Sequence, residues 1–380
     1  MTKRANGEGN IRQRPGDGLW EARVTVGGKR RSFYGKTREA VHRQLVLAIK
    51  TRQDGVPVPS RRESVRTFAK GWLDATRGTV RPTTWDKYRR DLGLHVLPYI
   101  GGVPLSRLGP QHLQLRYAEM LEAGLSARSV LHVHAVIHRM LTQALRWGSV
   151  GRNVADLVDL PRAKQSNWRV LDAAQVRLLL ETAEGDPLQG LYVLAVTTGM
   201  RQGELLALRW LDIDFDRGTL TVNGTLHRVG GGWSIGEPKT ARSRRLVVLP
   251  HVARIALQRH RVAQLEARLK AGICWRENGL VFTTAIGTPL HPGNVLRRSY
   301  RPMLERAGIR TVRFHDLRHT SATLLLGQGV HPKIVSEMLG HSTVGITLDL
   351  YSHVTESMQR QAAGAMDAVL GSDPTAGSKS

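Results

Sequence analysis

FHDLRHT, residues 314–320, places two histidines, an aspartate and an arginine within a few positions of one another. On a helix His315, Arg318 and His319 stand at i, i+3 and i+4 and therefore share a face. Three readings compete for such a face: it holds a metal ion, it holds a phosphate, or it is simply solvated. A zinc-protease helix also spaces two histidines by four, but it needs Glu beside the first as general base, and that place holds Asp316. A fixed guanidinium beside a divalent cation is electrostatically unfavourable, whereas beside a phosphate it is a planar, bidentate partner. Arg318 therefore argues for phosphate over metal, with a solvated helix face as the alternative.

The whole composition points the same way. The chain has 380 residues, with 56 Lys+Arg against 31 Asp+Glu, a net charge of +25 and a pI near 11.2. That balance suits a polyanion such as nucleic acid or an acidic membrane surface, unless the chain is simply basic throughout. The length implies two or three domains, and 41% hydrophobic residues are enough to bury a core. Cys274 is the single cysteine, which excludes an internal disulfide and a Cys-based zinc site and fits a reducing compartment. The start, MTKRANGEGN, has no apolar stretch of a secretory signal, and no run of about 18 apolar residues occurs. A soluble, cytoplasmic protein is expected.

Working outward to the ends, residues 9–35 read as a small antiparallel sheet whose runs are separated by PGDG and GG. In the middle run Trp20, Ala22, Val24 and Val26 alternate with Glu21, Arg23 and Thr25, which predicts one buried and one wet face. The next segment, TREAVHRQLVLAIK, has Thr37 as N-cap and Val41, Leu45, Ala48 and Ile49 at helical spacing, enough to cover that sheet. The other face, with Arg12, Arg14, Arg23, Lys29 and Arg31, could enter a DNA major groove; a generic αβ module fits the pattern equally. TRQDGVPVPSRRES reads as a linker. Residues 65 to about 160 then look all-helical, and His132, His134 and His138 on the last helix read as core- or phosphate-facing, because no carboxylate or cysteine is interleaved. A second break falls at PRAKQSNWR, after which Asp172 caps the first helix of the largest domain. RGTLTV, TLHRVGGGWSI and RSRRLVVLP read as strands in that otherwise helical region.

Three further clusters bear on the chemistry. TTGMRQGELLALRW puts Arg201 just after a glycine turn at a helix start, with Glu204 able to orient it; such a junction suits a phosphate clamp, and an ordinary ion-paired arginine is the alternative. EPKTARSRRLVV sets Lys239 in a hairpin region dense with cations, where it is either mere charge or within reach of a leaving group. MLGHSTVGITLDLYSHV places His341 after a Leu-Gly helix end and Tyr351 farther on, and a lone tyrosine there reads equally as core packing.

Taken together and in order, Arg201, the pair His315 and Arg318, His341 in LGHS and Tyr351 in YSHV resemble the active-site signature of the tyrosine recombinase (phage integrase) family. The likeness covers essentially the whole chain. It implies a multidomain, mainly α fold with small β-sheets. Residues 1–50 would be an arm-type DNA-binding domain of three-stranded sheet plus helix, 51–64 a linker, and 65–161 a helical core-binding domain. A linker at 162–168, a mixed α/β catalytic domain at 169–370 and a disordered tail at 371–380 complete the expectation. The resemblance makes Tyr351 the nucleophile that forms a 3′-phosphotyrosyl link and frees a 5′-hydroxyl. Arg201 and Arg318 would bind the non-bridging oxygens, Lys239 would protonate the leaving oxygen, His315 would accept the tyrosine proton, and His341 would hydrogen-bond the phosphate.

It further implies double-stranded attachment-site DNA as partner, a tetramer on two duplexes, an accessory DNA-bending or directionality factor, and no membrane. No cofactor, no metal and no ATP are expected, since two arginines and a lysine can replace the charge a metal ion supplies elsewhere. After Tyr351 an apolar stripe of Val354, Met358, Ala362, Met366 and Val369 would pack either in its own core or, by the resemblance, on a neighbouring protomer. The rival readings are a type IB-like topoisomerase, a non-catalytic DNA-binding regulator and, last, a metal nuclease.

Overall fold

Local signals set the order of elements along the chain, which the computed structural model describes over residues 10–26, 29–53, 63–163, 168–229, 232–236, 244–341, 343–351 and 356–370. Two compact units, Met1–Gln165 and Ser166–Ser380, make up the chain.

The first unit opens with strands β1 (Asn10–Gln13), β2 (Trp20–Val26) and β3 (Lys29–Gly35), antiparallel in the order β1-β2-β3. Ala22 lies opposite Ile11 on one side and Phe33 on the other, so these residues share a face. Helix α1 (Arg38–Gln53) is capped by Thr37, whose hydroxyl accepts from the Ala40 N–H at 3.2 Å, and it lays Val41, Leu45 and Ile49 over Ala22 and Val24. Burying each such aliphatic side chain contributes on the order of 1.5–3 kcal/mol.

The opposite face departs from the alternation. Glu21, expected in water, is 1% exposed. Arg23 Nε at 2.8 Å, Arg12 Nε at 3.0 Å and the Tyr34 hydroxyl at 3.1 Å all donate to its carboxylate. The Arg23 hydrogen bond, seconded by Arg12 and Tyr34, overrides desolvation and holds the carboxyl down at about 2. Arg14 pairs with Asp17 at 3.0 Å and lies over the Tyr34 ring. Lys29 and Arg31 stand on β3 by their backbone, and their side chains lie outside the described part.

The helical part of this unit comprises α2 (Val65–Thr76), α3 (Pro82–His95), α4 (Leu97–Ile100), α5 (Pro110–Glu122) and α6 (Ala127–Arg146). Ser64 and Ser126 cap α2 and α6 by accepting from the N–H three residues on. Phe68, Trp72, Leu92, Tyr117, Ile137 and Met140 form its core. His134 hydrogen-bonds the Tyr117 hydroxyl at 3.1 Å. His138 meets Asp156 at 2.7 Å, a carboxylate brought from outside the helix, while His132 is exposed. Among the described residues no group of three or more His, Cys, Asp or Glu could hold a metal, and no helix is long and apolar enough to cross a membrane.

The second unit begins with α7 (Ala173–Thr182), capped reciprocally: Asp172 accepts from the Gln175 N–H at 2.8 Å and the Gln175 side chain accepts from the Asp172 N–H at 3.1 Å. Helix α8 (Gln189–Thr198) is apolar all round and correspondingly buried, and the short α9 (Gln202–Leu205) follows. β4 (Ile213–Asp214) and β5 (Thr219–Val222) precede a separate hairpin of β6 (Thr225–Val229) and β7 (Gly232–Gly236). β8 (Arg245–Val248) closes the antiparallel sheet β4-β5-β8, with Leu220 opposite Val247. α10 (His251–Ala271) packs on α8 and leads to an exposed Cys274. α11 (Pro292–Val295), a π turn over Leu296–Tyr300 and α12 (Arg301–Arg306) lead to α13 (Asp316–Gly327), which also packs on α8. α14 (Pro332–Leu339), α15 (Gly345–Tyr351) and α16 (Glu356–Leu370) end the described chain. In α16 Met366 and Val369 are 57% and 79% exposed, so the described end of the apolar stripe does not pack in its own core. Val354 and the tail 371–380 lie outside the described residues, as do the side chains of Met358 and Ala362. The result is a mainly helical chain with small antiparallel sheets.

Candidate active site

A glycine turn builds the first wall of the site. Gly199 ends α8 at φ +59°, and a Cβ there would stand 2.2 Å from Leu339 Cδ2, so both backbone freedom and close approach require glycine. The reversal leaves Arg201 at the N-cap of α9. Its Nη1 donates to Glu204 Oε1 at 2.7 Å and its Nη2 to the Gly340 carbonyl at 3.1 Å, with 38% of the side chain exposed. Glu204 is 2% exposed and also accepts from the Arg201 N–H at 3.0 Å and from Arg245 Nη2 at 3.0 Å. Burial alone would raise its carboxyl; the Arg245 hydrogen bond and charge, with the Arg201 N–H and charge, hold it below the ordinary value.

The second wall is the start of α13. His315 is its N-cap residue, and Arg318, one turn in, is 3% exposed. Arg318 Nη1 donates to the Gly199 carbonyl at 2.8 Å, while Nη2 is buried with no hydrogen-bond partner among the described residues. Desolvation, helped by the charge of Arg201, lowers its pKa to about 9, which still leaves it charged at neutral pH. Edge-on at 5.3 Å, His315 and His319 do share a face, and Trp168 stacks on His319 at 4.8 Å. Desolvation and the cations Arg318 and Arg201 push His315 below the ordinary imidazole value, and desolvation and His315 take His319 down to about 4. Asp316, which stands where a zinc protease has its base, is instead tied to Arg313 at 2.9 Å.

The third wall is the turn from α14 to α15. Gly340 at φ +69° reverses the chain, and the His341 N–H donates back to the Ser336 carbonyl at 3.0 Å. The buried His341 ring meets the buried Thr347 hydroxyl through Nδ1 at 2.8 Å. Desolvation and the charges of Arg318 and Arg201 lower this imidazole to about 3, so it is neutral at neutral pH. Tyr351 closes α15 one helical turn after Thr347, and its side chain lies outside the described part. Lys239 falls at 237–243, also outside it. Arg12, Arg14 and Arg23 belong to the first unit.

Arg201, Glu204, His315, Arg318 and His341 thus come from three separate stretches to one place, where two guanidiniums and uncharged imidazoles favour a multiply charged anion. Sequence reasoning missed Arg245, Trp168 and Thr347. Only Arg245 left a signal: it begins β8 on the same side as the buried Val247, whereas Leu246 and Val248 face out.

The phage integrase family model matches residues 169–358, and the phage integrase N-terminal SAM-like domain matches residues 64–121. A "Tyrosine recombinase XerC-like" protein of Caldanaerobacter subterraneus subsp. tengcongensis is 30% identical over 93% of this chain and 96% of its own. An integrase of Streptomyces ambofaciens is 29% identical over 98% of this chain and 99% of its own. In fold the chain is similar to the Tn1549 transposon integrase solved in complex with a circular intermediate DNA, with a TM-score of 0.65, 23% identity, and coverage of 80% of this chain and 99% of that one. With that family model spanning the second unit's site and a relative 30% identical along nearly the full length, the chain belongs to the phage integrase family of tyrosine recombinases.

Proposed function

We propose that this DNA strand-exchange enzyme is a site-specific integrase that cuts and rejoins double-stranded attachment-site DNA through a 3′-phosphotyrosyl intermediate, without metal or ATP. The observation that carries the reading is the buried Arg318 guanidinium, whose Nη1 is held by the Gly199 carbonyl and whose Nη2 has no hydrogen-bond partner among the described residues, beside Arg201. A buried unpartnered guanidinium N–H is costly unless an anion completes it, and a phosphodiester oxygen does so.

In this reading Tyr351 Oη attacks the scissile phosphorus, the P–O5′ bond breaks, and Lys239 protonates the leaving 5′-oxygen. Arg201, oriented by Glu204, and Arg318 hold the non-bridging oxygens as charge grows in the pentacoordinate transition state. Tyrosine ionises near pH 10, so its proton needs a base, and His315, pushed below the ordinary imidazole value, is neutral and able to take it. His341, neutral likewise, donates a hydrogen bond to the phosphate from the ring nitrogen not engaged by Thr347. The phosphotyrosine preserves the energy of the broken bond, so a 5′-hydroxyl of another strand can displace Tyr351 with no ATP.

The same reading assigns residues 1–50 to an arm-type DNA-binding module with Arg12, Arg14, Arg23, Lys29 and Arg31 toward DNA. The stretches 51–64 and 162–168 are linkers, 65–161 is the core-binding domain, 169–370 the catalytic domain and 371–380 a tail. Four copies act on two duplexes, with an accessory DNA-bending or directionality factor, in the cytoplasm. The test is a covalent protein–DNA adduct on a denaturing gel, formed in EDTA on nicked duplexes from the flanks of the protein's own gene. Wild type should trap adduct and Tyr351→Phe none; loss of the wild-type adduct in EDTA would sink metal independence, and joining of two duplexes separates integrase from topoisomerase.

A further inference from the structure

Arg245 lies outside every role assigned above, yet it is more deeply buried than Arg201: 6% of its side chain is exposed, against 38%. Its hydrogen bonds run in two directions, to Glu204 and to α14. Nη2 donates to Glu204 Oε2 at 3.0 Å, a longer bond joins Nη1 to Glu204 Oε1 at 3.4 Å, and Nε donates to the Met338 carbonyl at 2.6 Å, in the last turn of α14. Arg201 is arranged in parallel, with Nη1 on Glu204 Oε1 and Nη2 on the Gly340 carbonyl just beyond the same helix. One buried carboxylate is therefore shared between two guanidiniums, and both guanidiniums also hold the carbonyl end of α14, the negative pole of the helix. His341 follows Gly340 directly.

From this geometry we infer that Arg245 is a positioning residue: by occupying Glu204 Oε2 and the end of α14 it fixes where Arg201 and His341 stand toward the phosphate. The physical reason is competition for the carboxylate. Oε2 otherwise invites Arg201 into a two-pronged pairing with Glu204, which is the favoured geometry for an isolated arginine–carboxylate pair. Such a pairing turns the Arg201 fork inward, away from the phosphate. With Arg245 in place Arg201 engages Glu204 through one guanidinium nitrogen and its backbone N–H, and two cations against one anion leave a net positive charge at the site. A lysine at 245 retains that charge but, as a single point donor, cannot span Glu204 and the Met338 carbonyl as the planar fork does.

The inference rests on the proposed role of Arg201 as a phosphate ligand, and the experiment separates the two. On a nicked duplex that wild-type protein converts to adduct, the single-turnover rate of adduct formation at saturating DNA is measured beside the dissociation constant for that duplex and the melting temperature. The variants are Arg245→Lys, Arg245→Met, Glu204→Gln and the double variant Glu204→Gln with Arg245→Met. Misplacement of a catalytic group costs on the order of 10²-fold, so Arg245→Met should slow adduct formation by about that factor and Arg245→Lys by about tenfold. DNA affinity should stay near that of wild type. Because Glu204 is one of the two groups Arg245 holds, adding Arg245→Met to Glu204→Gln should slow the reaction by clearly less than the product of the two single losses. Independent losses that multiply, a wild-type rate in Arg245→Lys, or a loss confined to affinity would each overturn the inference while leaving the recombinase reading intact. If Arg245→Met does not fold, Arg245→Lys alone decides. No adduct from wild type on any flanking or nicked duplex would overturn the recombinase reading itself, and the inference with it.

Discussion

His341 and His319 are neutral first because their rings are withdrawn from water and second because of nearby positive charge, Arg318 and Arg201 for His341 and His315 and Arg318, against Asp316, for His319, and this links stability to pH. Their folded values, about 3 and about 4, lie below the ordinary 6.5. In the interval between, the unfolded chain binds more protons than the folded one, so stability is complete above about pH 6.5 and falls as pH drops toward 4 and 3, at about 1.4 kcal/mol per pH unit for each ring. Urea unfolding at pH 6.5 and pH 5 should show this fall, and His341→Asn should make it smaller by roughly 1–2 kcal/mol. An equal fall in both proteins would remove His341 from the account. At the same scale, Arg318→Lys keeps the charge but cannot join the Gly199 carbonyl and a phosphate oxygen with one planar group. It should slow adduct formation by about 10²–10³-fold with little loss of DNA affinity, measured as single-turnover rate and dissociation constant. A wild-type rate in this variant would mean that charge without geometry suffices.

The corner between α8 and α9 does for the elements what the arginines do for the residues. Gly199 lets α8 stop while its carbonyl receives Arg318 and its Cα passes Leu339 and Ser321 at close range. Gly199→Ala combines a left-handed backbone strain with a Cβ forced into buried Leu339, so it should destabilise the chain by roughly 2–4 kcal/mol in denaturant unfolding. It should also slow adduct formation, since α8, α9, α13 and α14 meet at this corner. Unchanged stability would show that the turn relaxes freely. The other local devices act similarly: Asp172 and Gln175 start α7 by reciprocal capping, and Gly340 ends α14 so that His341 turns back to Ser336.

For the molecule as a whole the dominant number is the net charge of +25. Part of that charge is internally balanced, as where Arg12 and Arg23 share Glu21 and where Arg201 and Arg245 share Glu204. The surplus favours a phosphate-dominated association in which counterions are released. Binding to a flank duplex should weaken by at least about 10³-fold between 50 and 200 mM salt, with a log–log slope near −0.9 for each phosphate engaged. A slope near zero, read from anisotropy titrations, would exclude phosphates as the main source of affinity.

Much of this was legible in the sequence because its causes are local. The spacing of His315, Arg318 and His319 fixes a shared helical face, Thr37 and Asp172 announce helix starts, and the alternation in β2 marks its core side. Motif order from Arg201 to Tyr351 named the family, since each motif is a short stretch with its own residue chemistry. Three things only the tertiary structure decided. Glu21 is buried because Arg12 and Tyr34 reach it from the strands on either side. His138 gains Asp156 from beyond its own helix. Arg245 joins Glu204, 41 positions earlier, to the Met338 carbonyl, 93 positions later. Hydrophobic periodicity and capping act over one or two turns, so a sequence displays them directly. Which distant carboxylate or carbonyl completes a buried guanidinium is decided by how the elements pack, and that is set by the sum of many contacts rather than by any one stretch.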